Sequence, residues 1–270
     1  MFKEAIIKLI YSLLALTLAL SFNAKSLAND KCKISVGWME RPSYQYAKLS
    51  GTPAGFDIAY MRALAKELNC AVTFKKMPWV RQDKEMVAGR LDILLGALPN
   101  GVTPDLIRVS DNYRKDPIGF YVHKRDAEKV EGKSITELLD DGFLLGTVSH
   151  DTHSPEVLKL QKKVRYKAKI FPVESAKALL RNLNRKMIRA VMLHSAEVDY
   201  LKEKKNPLVK DLLLIPTLSF TRDAHLIMGR DSPLGSQYIK TIDRGIAALK
   251  KQGIAGKLIE QYVPSHQLID

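Results

Sequence analysis

Between Met77 and Ala97 the chain reads MPWVRQDKEMVAGRLDILLGA, and the spacing of its apolar positions changes once. Val80, Met86 and Val87 share one side of a helix, Gly89 stands where a helix end needs φ > 0, and Leu91 to Leu95 is almost continuously apolar. A strand apolar on both faces belongs to a parallel sheet with helical crossovers. In such sheets the ligand lies beyond the carboxyl ends of the strands, so a site is expected at Gly96, Ala97 and Leu98. The preceding segments have the same form. KISVGW, ending at Trp38, reads as a strand, and a helix from Asp57 puts Ile58, Met61, Leu64, Ala65 and Leu68 on one face before Asn69 ends it. CAVTF, from Cys70 to Phe74, is the next strand, so the order is β-α-β-α-β, a small doubly wound sheet.

A second set of alternating elements follows. Asp116 to Arg125 reads as a strand, and the charged run DAEKVEGK after it marks a boundary. Ser134 and Glu137 have capping-box spacing, Phe143 to Val148 is a strand, and Ser154-Pro155 opens a helix with proline at its first position. AKIFP, IRAVML and LLLIP read as strands, separated by the helices ESAKALLRNLNRK and SAEVDYLKEK. AHLIMGRD is a further strand, after which Ser232-Pro233 caps a helix reaching about Lys251, with a short helix near Ala255 to Tyr262. IGFYVHKRD and AHLIMGRDS are both apolar runs ending in a basic residue and Asp, and they flank the second set. The chain is therefore expected to cross into a second lobe near residue 122 and return near 220. The predicted fold is α/β with two lobes, each a small mostly parallel sheet flanked by helices, joined by a two-strand hinge. Residues 29–121 with 221–270 would form one lobe and 122–220 the other, with a cleft between them.

Composition adds an address and a charge. In 270 residues, 46% hydrophobic content is enough to build cores. Lys3 and Lys8, an apolar run from Leu9 to Leu20, and Ser26-Leu27-Ala28 form the pattern of a secretory signal, residues 1–28, cleaved after Ala28. The apolar run is short for a membrane anchor, and Asn29-Asp30-Lys31 before Cys32 is no lipobox. Cleavage would remove Lys3, Lys8, Lys25 and Glu4 from 43 basic and 29 acidic residues, leaving a net charge of +12. The basic residues cluster from Lys159 to Lys169 and from Arg181 to Arg189. A solvated face, anionic lipid, nucleic acid and an acidic ligand all fit such clusters. Tyr166 is their only aromatic residue, too few for a base-stacking platform, so no nucleic-acid partner is expected. Cys32 and Cys70 open the first two strands, and in an exported protein they are expected to form a disulfide. Closing a loop of about 38 residues, it would contribute roughly 4 kcal/mol in the chain-entropy model. Two buried thiols are the alternative.

Taken in order, the signal segment, KISVGW, GFDIAYMRALAKELN, PWVRQDKEMVAGRLDILLGA, LLGTVS and GIAALKKQGIAGKLIEQYV resemble the bacterial periplasmic solute-binding proteins of family 3, the polar amino acid-binding type. The resemblance covers the whole mature chain. It implies a monomeric periplasmic receptor that closes on a small polar solute and presents it to an ABC permease in the inner membrane, with no cofactor, metal or catalytic residue.

The family's binding positions are only partly kept. Its carboxylate clamp is a Thr followed three residues later by Arg; here Thr103 is followed by Leu106, and Arg108 and Arg81 are the nearest guanidiniums. The Asp that takes the ligand ammonium is His194 here, and Lys186 and Arg189 replace the Gly and Asp before it. Trp38, Tyr44, Phe56 and Trp79 could wall the first-lobe side, with Phe56 equally suited to the core. Ser149, His150, Asp151 and Thr152 precede a helix N-terminus, which suits an anionic group. The expected ligand set is Trp38, Tyr44, Trp79, Arg81, Ala97, Leu98, Arg108, Ser149, His150, Thr152 and His194, favouring a solute with negative charge or many acceptors.

Three other readings stay open. A cleft enzyme resembling cyclohexadienyl dehydratase would draw its carboxylate from Glu40, Asp151 or Glu197, with His150 or His194 as partner. His150, Asp151, His153 and His194 could bind a metal. A sensory binding protein, signalling to a membrane receptor, would need the same hinge.

Overall fold

The computed structural model describes residues 32–97, 104–149, 154–230, 232 and 235–263. The signal segment, Leu98, Thr103, His150, Asp151, Thr152, His153 and Pro233 lie outside the described residues. The described residues from Ile34 onward form one unit. β1 (Lys33–Trp38) leads through the ribbon β2 (Tyr46–Ala47) and β3 (Pro53–Ala54) into the helix Phe56–Glu67. β4 (Ala71–Lys76), the helix Trp79–Val87 and β5 (Ile93–Ala97) complete the first set. β6 (Ile107–His123) carries the chain to β7 (Leu145–Val148), β8 (Ile170–Val173) and β9 (Ala190–His194), with helices between them. β10 (Leu212–Leu214) and β11 (Phe220–Gly229) bring it back to the helices Gly235–Lys251 and Ile254–Tyr262.

Apart from the β2–β3 ribbon, the strands form one sheet in the order β4-β1-β5-β11-β6-β9-β7-β8, with β10 also on β6. β1 and β5 are parallel at one end, and β7 is parallel to both β8 and β9 at the other. The two ends are joined through β6 and β11, which pair antiparallel from Ile118↔Phe220 to Ile107↔Gly229. This is the two-lobed arrangement with a two-strand hinge, and the two lobe sheets are continuous through the crossing. β6 is longer than the expected strand, beginning at Ile107 instead of Asp116. Its first half carries charged residues that hide the strand in the hydropathy pattern, while the backbone ladder to β11 forms whatever the side chains are.

Local signals account for most boundaries. Gly89 has φ +69° and Asn69 φ +53°, each ending a helix. Ser134 and Glu137 form the capping box, and the Ser154 hydroxyl accepts from the Val157 amide. The helix Trp79–Val87 departs from expectation: Val80 and Val87 are largely exposed, and Gln82 and Met86 are its buried residues. These two lie four apart on one face, and a Cβ on Gly37 would meet the Gln82 Oε1 at 2.5 Å, so this glycine lets the helix pack close on β1.

Around β6 and β9 the side chains alternate between two cores. Phe120, Val122 and Met192 join Leu138, Leu145 and Ile170 on one face; Tyr121, Val191 and Leu193 join Leu179, Leu180 and Leu183 on the other. Each such fully buried side chain contributes about 1.5–3 kcal/mol. Both cysteines are disulfide-bonded, which in a chain with two cysteines gives Cys32–Cys70, at the starts of the neighbouring strands β1 and β4.

Candidate functional site

Where β6 passes from β11 to β9, a group of charged side chains is buried. Arg114 and Asp116 share one face of β6, two residues apart; Arg222 is the partner of Asp116 in the ladder, and His194 is the partner of Ile118. Asp116 accepts from the Arg222 Nε at 3.0 Å and lies 2.9 Å from the His194 Nδ1 and 3.0 Å from the Arg114 Nη1. Asp57, in the first turn of the helix Phe56–Glu67, accepts from the Arg114 Nε at 2.9 Å, the Tyr113 hydroxyl at 2.7 Å and the Gln45 Nε2 at 2.8 Å. The Arg114 guanidinium also lies 3.7 Å from the centre of the Tyr44 ring, which meets His194 edge-on at 6.1 Å.

Burial would raise the Asp116 pKa, but His194, Arg114 and Arg222 override it and hold the carboxyl well below the usual carboxylate range. Burial works against the Arg114 charge as well, and Asp57 and Asp116 keep its pKa well above the ordinary value. The Tyr113 and Tyr44 hydroxyls are pushed up, first by burial and then by the charge of Asp57 and Asp116 respectively. Gly96, with φ +62°, closes over this group; a Cβ there would stand 2.7 Å from the Arg114 Nη2.

Beside the cluster is a pocket of 390 Å³ built from carboxyl ends of strands. Met39 to Pro42 follow β1, Val148 ends β7, Glu174 follows β8, and Glu197 lies on the helix Ser195–Glu203 that follows β9. Ser175 caps the helix Ala176–Asn184 at its edge, with Lys177 in the first turn. Arg41 carries the pocket's unusual chemistry. It is buried, its guanidinium lies over the Trp79 ring at 5.9 Å, and its Nη1 has no hydrogen-bond partner. A buried, unpaired guanidinium nitrogen costs on the order of 1–3 kcal/mol or more unless an acceptor reaches it.

The expected ligand residues fall in different places. Tyr44 and His194 meet in the buried cluster, and Trp79 reaches the pocket wall through Arg41. Trp38 is buried beneath Lys76. Arg81 is exposed and faces Glu85, while the Arg108 Nη1 donates to the Ile107 carbonyl at 2.9 Å; neither lines the pocket. The Ser149 amide donates to the Val173 carbonyl, and Ala97 ends β5 opposite His225. Leu98, His150 and Thr152 lie outside the described residues. Sequence reasoning missed Arg41, Asp57, Arg114, Asp116 and Arg222. The alternation Arg114-x-Asp116 was the one available signal, since side chains two apart share a face of a strand.

These features define a two-lobed periplasmic binding protein fold with a pocket at the strand ends of both lobes. The profile of the bacterial extracellular solute-binding proteins, family 3, matches residues 34–265, and the chain belongs to that family. No curated protein matches it in sequence. Solved structures share the fold at low identity. The arginine-, lysine-, histidine-binding protein ArtJ of Geobacillus stearothermophilus is 18% identical, with 88% of this chain and 98% of that one covered and a TM-score of 0.68. An ancestral amino acid-binding protein described as a precursor of cyclohexadienyl dehydratase is 21% identical over 85% and 94%, with a TM-score of 0.66. An ABC uptake transporter substrate-binding protein of Streptococcus pneumoniae with bound histidine is 16% identical over 85% and 92%, with a TM-score of 0.68. Among the described residues no helix is long and apolar enough to cross a membrane.

Proposed function

We propose that this chain is a periplasmic receptor that captures a small polar solute bearing a carboxylate in the pocket beside Arg41, for delivery to an ABC-type importer. The lobes, residues 29–121 with 221–270 and residues 122–220, would close about β6 and β11, bringing Met39 to Pro42 against Glu174, Ser175 and Glu197. The observation that carries this reading is the orphaned Arg41 Nη1 in the wall of the pocket. An acid group on the solute would supply the missing acceptor, as Arg81 or Arg108 was expected to require. Glu174 and the Ser175 end of the helix offer an acceptor and a polar edge for the rest of the solute. The ancestral precursor of a dehydratase and the placement of Glu40 and Glu197 on the pocket wall favour a second reading, an enzyme acting on a similar acid.

Native mass spectrometry of the purified protein, with a thermal-shift panel of amino acids, organic acids and polyamines, tests both. Carboxylate-bearing solutes are expected to stabilise the protein and Arg41→Ala to abolish that stabilisation. Stabilisation by polyamines alone would refute the role of Arg41. Consumption of a bound prephenate-like acid would select the enzyme.

A further inference from the structure

Much of the positive charge is concentrated on one end of the second lobe. The segments Lys159 to Lys169 and Arg181 to Arg189 together hold ten basic residues and no acidic one. β7, β8 and β9 are parallel and in register at Leu145, Ile170 and Ala190, so the segments leading into them meet at their amino ends. Backbone bonds from the Leu145 amide to the Lys169 carbonyl and from the Arg189 amide to the Leu144 carbonyl join these segments directly. Arg165 pairs with Asp140 at 2.7 Å, and Arg189 with Asp126, fastening both segments to the lobe. Lys162, Lys163, Lys167, Arg185 and Lys186 on the same segments are exposed, and no ion pair among the described residues neutralises them. In their midst stand two exposed apolar side chains, Val164 at 92% and Met187 at 59%.

We propose that this end of the second lobe is a docking surface for a bilayer containing anionic phospholipid. The lysines and arginines would meet lipid phosphates, and Val164 and Met187 would enter the headgroup layer. Charge complementarity selects a polyanionic surface, and the two protruding apolar side chains select one that can take them out of water. A nucleic acid would leave them hydrated and would find only one exposed ring, Phe171, since Tyr166 is buried, which is too few for a stacking platform. The pocket borders the opposite, carboxyl ends of β7, β8 and β9, so a lobe seated this way keeps its solute site off the membrane.

Co-sedimentation of the purified protein with phosphatidylcholine vesicles, with and without phosphatidylglycerol, tests the surface. Binding is expected with the anionic vesicles alone and is expected to fall steeply with salt. Reversing Lys162, Lys163 and Lys186 together to Glu should weaken binding at least about a hundredfold, since each cation lost near an anionic surface removes about a factor of five and each carboxylate gained adds repulsion. The same reversal at Lys48, Lys66 and Lys84, exposed on the first lobe, should leave it unchanged. Val164→Ser with Met187→Ser, which alters no charge, should weaken binding several-fold and keep its salt dependence. Equal binding to neutral vesicles, an equal loss from the two triple reversals, or capture by DNA or heparin without capture by vesicles would each overturn the proposal.

Discussion

The buried cluster and the neighbouring pocket use the same residue types to opposite ends. In the cluster, two guanidiniums, two carboxylates and an imidazole face one another, and Asp116 alone meets both guanidiniums and the imidazole. In the pocket, Arg41 is buried with a nitrogen left unpaired, and Glu174 is exposed at the rim. The cluster's charges are turned on one another, with Arg114 held between Asp57 and Asp116 although its Nη1 and Nη2 make no hydrogen bond, whereas the Arg41 Nη1 is unbonded in a pocket wall. Tyr44 and His194, expected from the family as ligand contacts, lie in the cluster, where the two rings meet and His194 approaches Asp116.

Substitutions can break this contrast. Asp116→Ala is expected to have the largest effect, because it leaves Arg114, Arg222 and His194 buried without their shared carboxylate. Breaking a buried ion pair from one side costs about 3–5 kcal/mol. Urea unfolding should show the loss as a lower midpoint; an unchanged midpoint would mean that the crossing is open to solvent. Gly96→Ala comes next, at roughly 2 kcal/mol, from a left-handed φ combined with the approach to the Arg114 Nη2. Thermal unfolding of the variant would measure it.

The cluster also sets an acid limit. Asp116 has its pKa depressed in the folded protein, so its contribution is fully present above the unfolded value of about 3.9. That contribution is lost as pH falls through the lower folded value. Melting curves from neutral pH to below pH 4 should fall in the wild type. In Asp116→Asn they should start lower and decline less, the difference between the two shrinking with acid. A difference that widens with acid would contradict the assignment.

Arg41→Ala should have only a small effect on the unliganded protein. The wild-type guanidinium already lacks one partner, so its removal relieves an unpaired group while losing the contact with Trp79. Its effect should appear in solute-induced stabilisation. Arg81→Ala, on the exposed side of the same region, should leave both unchanged. If Arg81→Ala abolishes solute binding and Arg41→Ala does not, the pocket has been misassigned between the two arginines.

Elements and their order were legible in the chain because their signals are local. Gly89 after the helix, Ser134 with Glu137, Ser154 before Pro155 and the apolar run into β5 each act within a few residues of themselves. The repeated apolar runs likewise announced the two strands that cross between the lobes. The start of β6 and the buried face of Trp79–Val87 were not legible, since both depend on what lies across the sheet: β11 for the charged half of β6, and Gly37 for Gln82. The site was the least legible part. Arg41, Arg114 and Arg222 look alike in sequence, each an arginine in a polar stretch. Only tertiary structure decided that Arg222 meets Asp116 while Arg41 is buried in the pocket wall with its Nη1 unbonded, because Arg222 and Asp116 come from strands more than a hundred positions apart. By itself the sequence determined an α/β protein of two lobes with its strands in order. The division of its charges between scaffold and site came from the fold, through distance and desolvation.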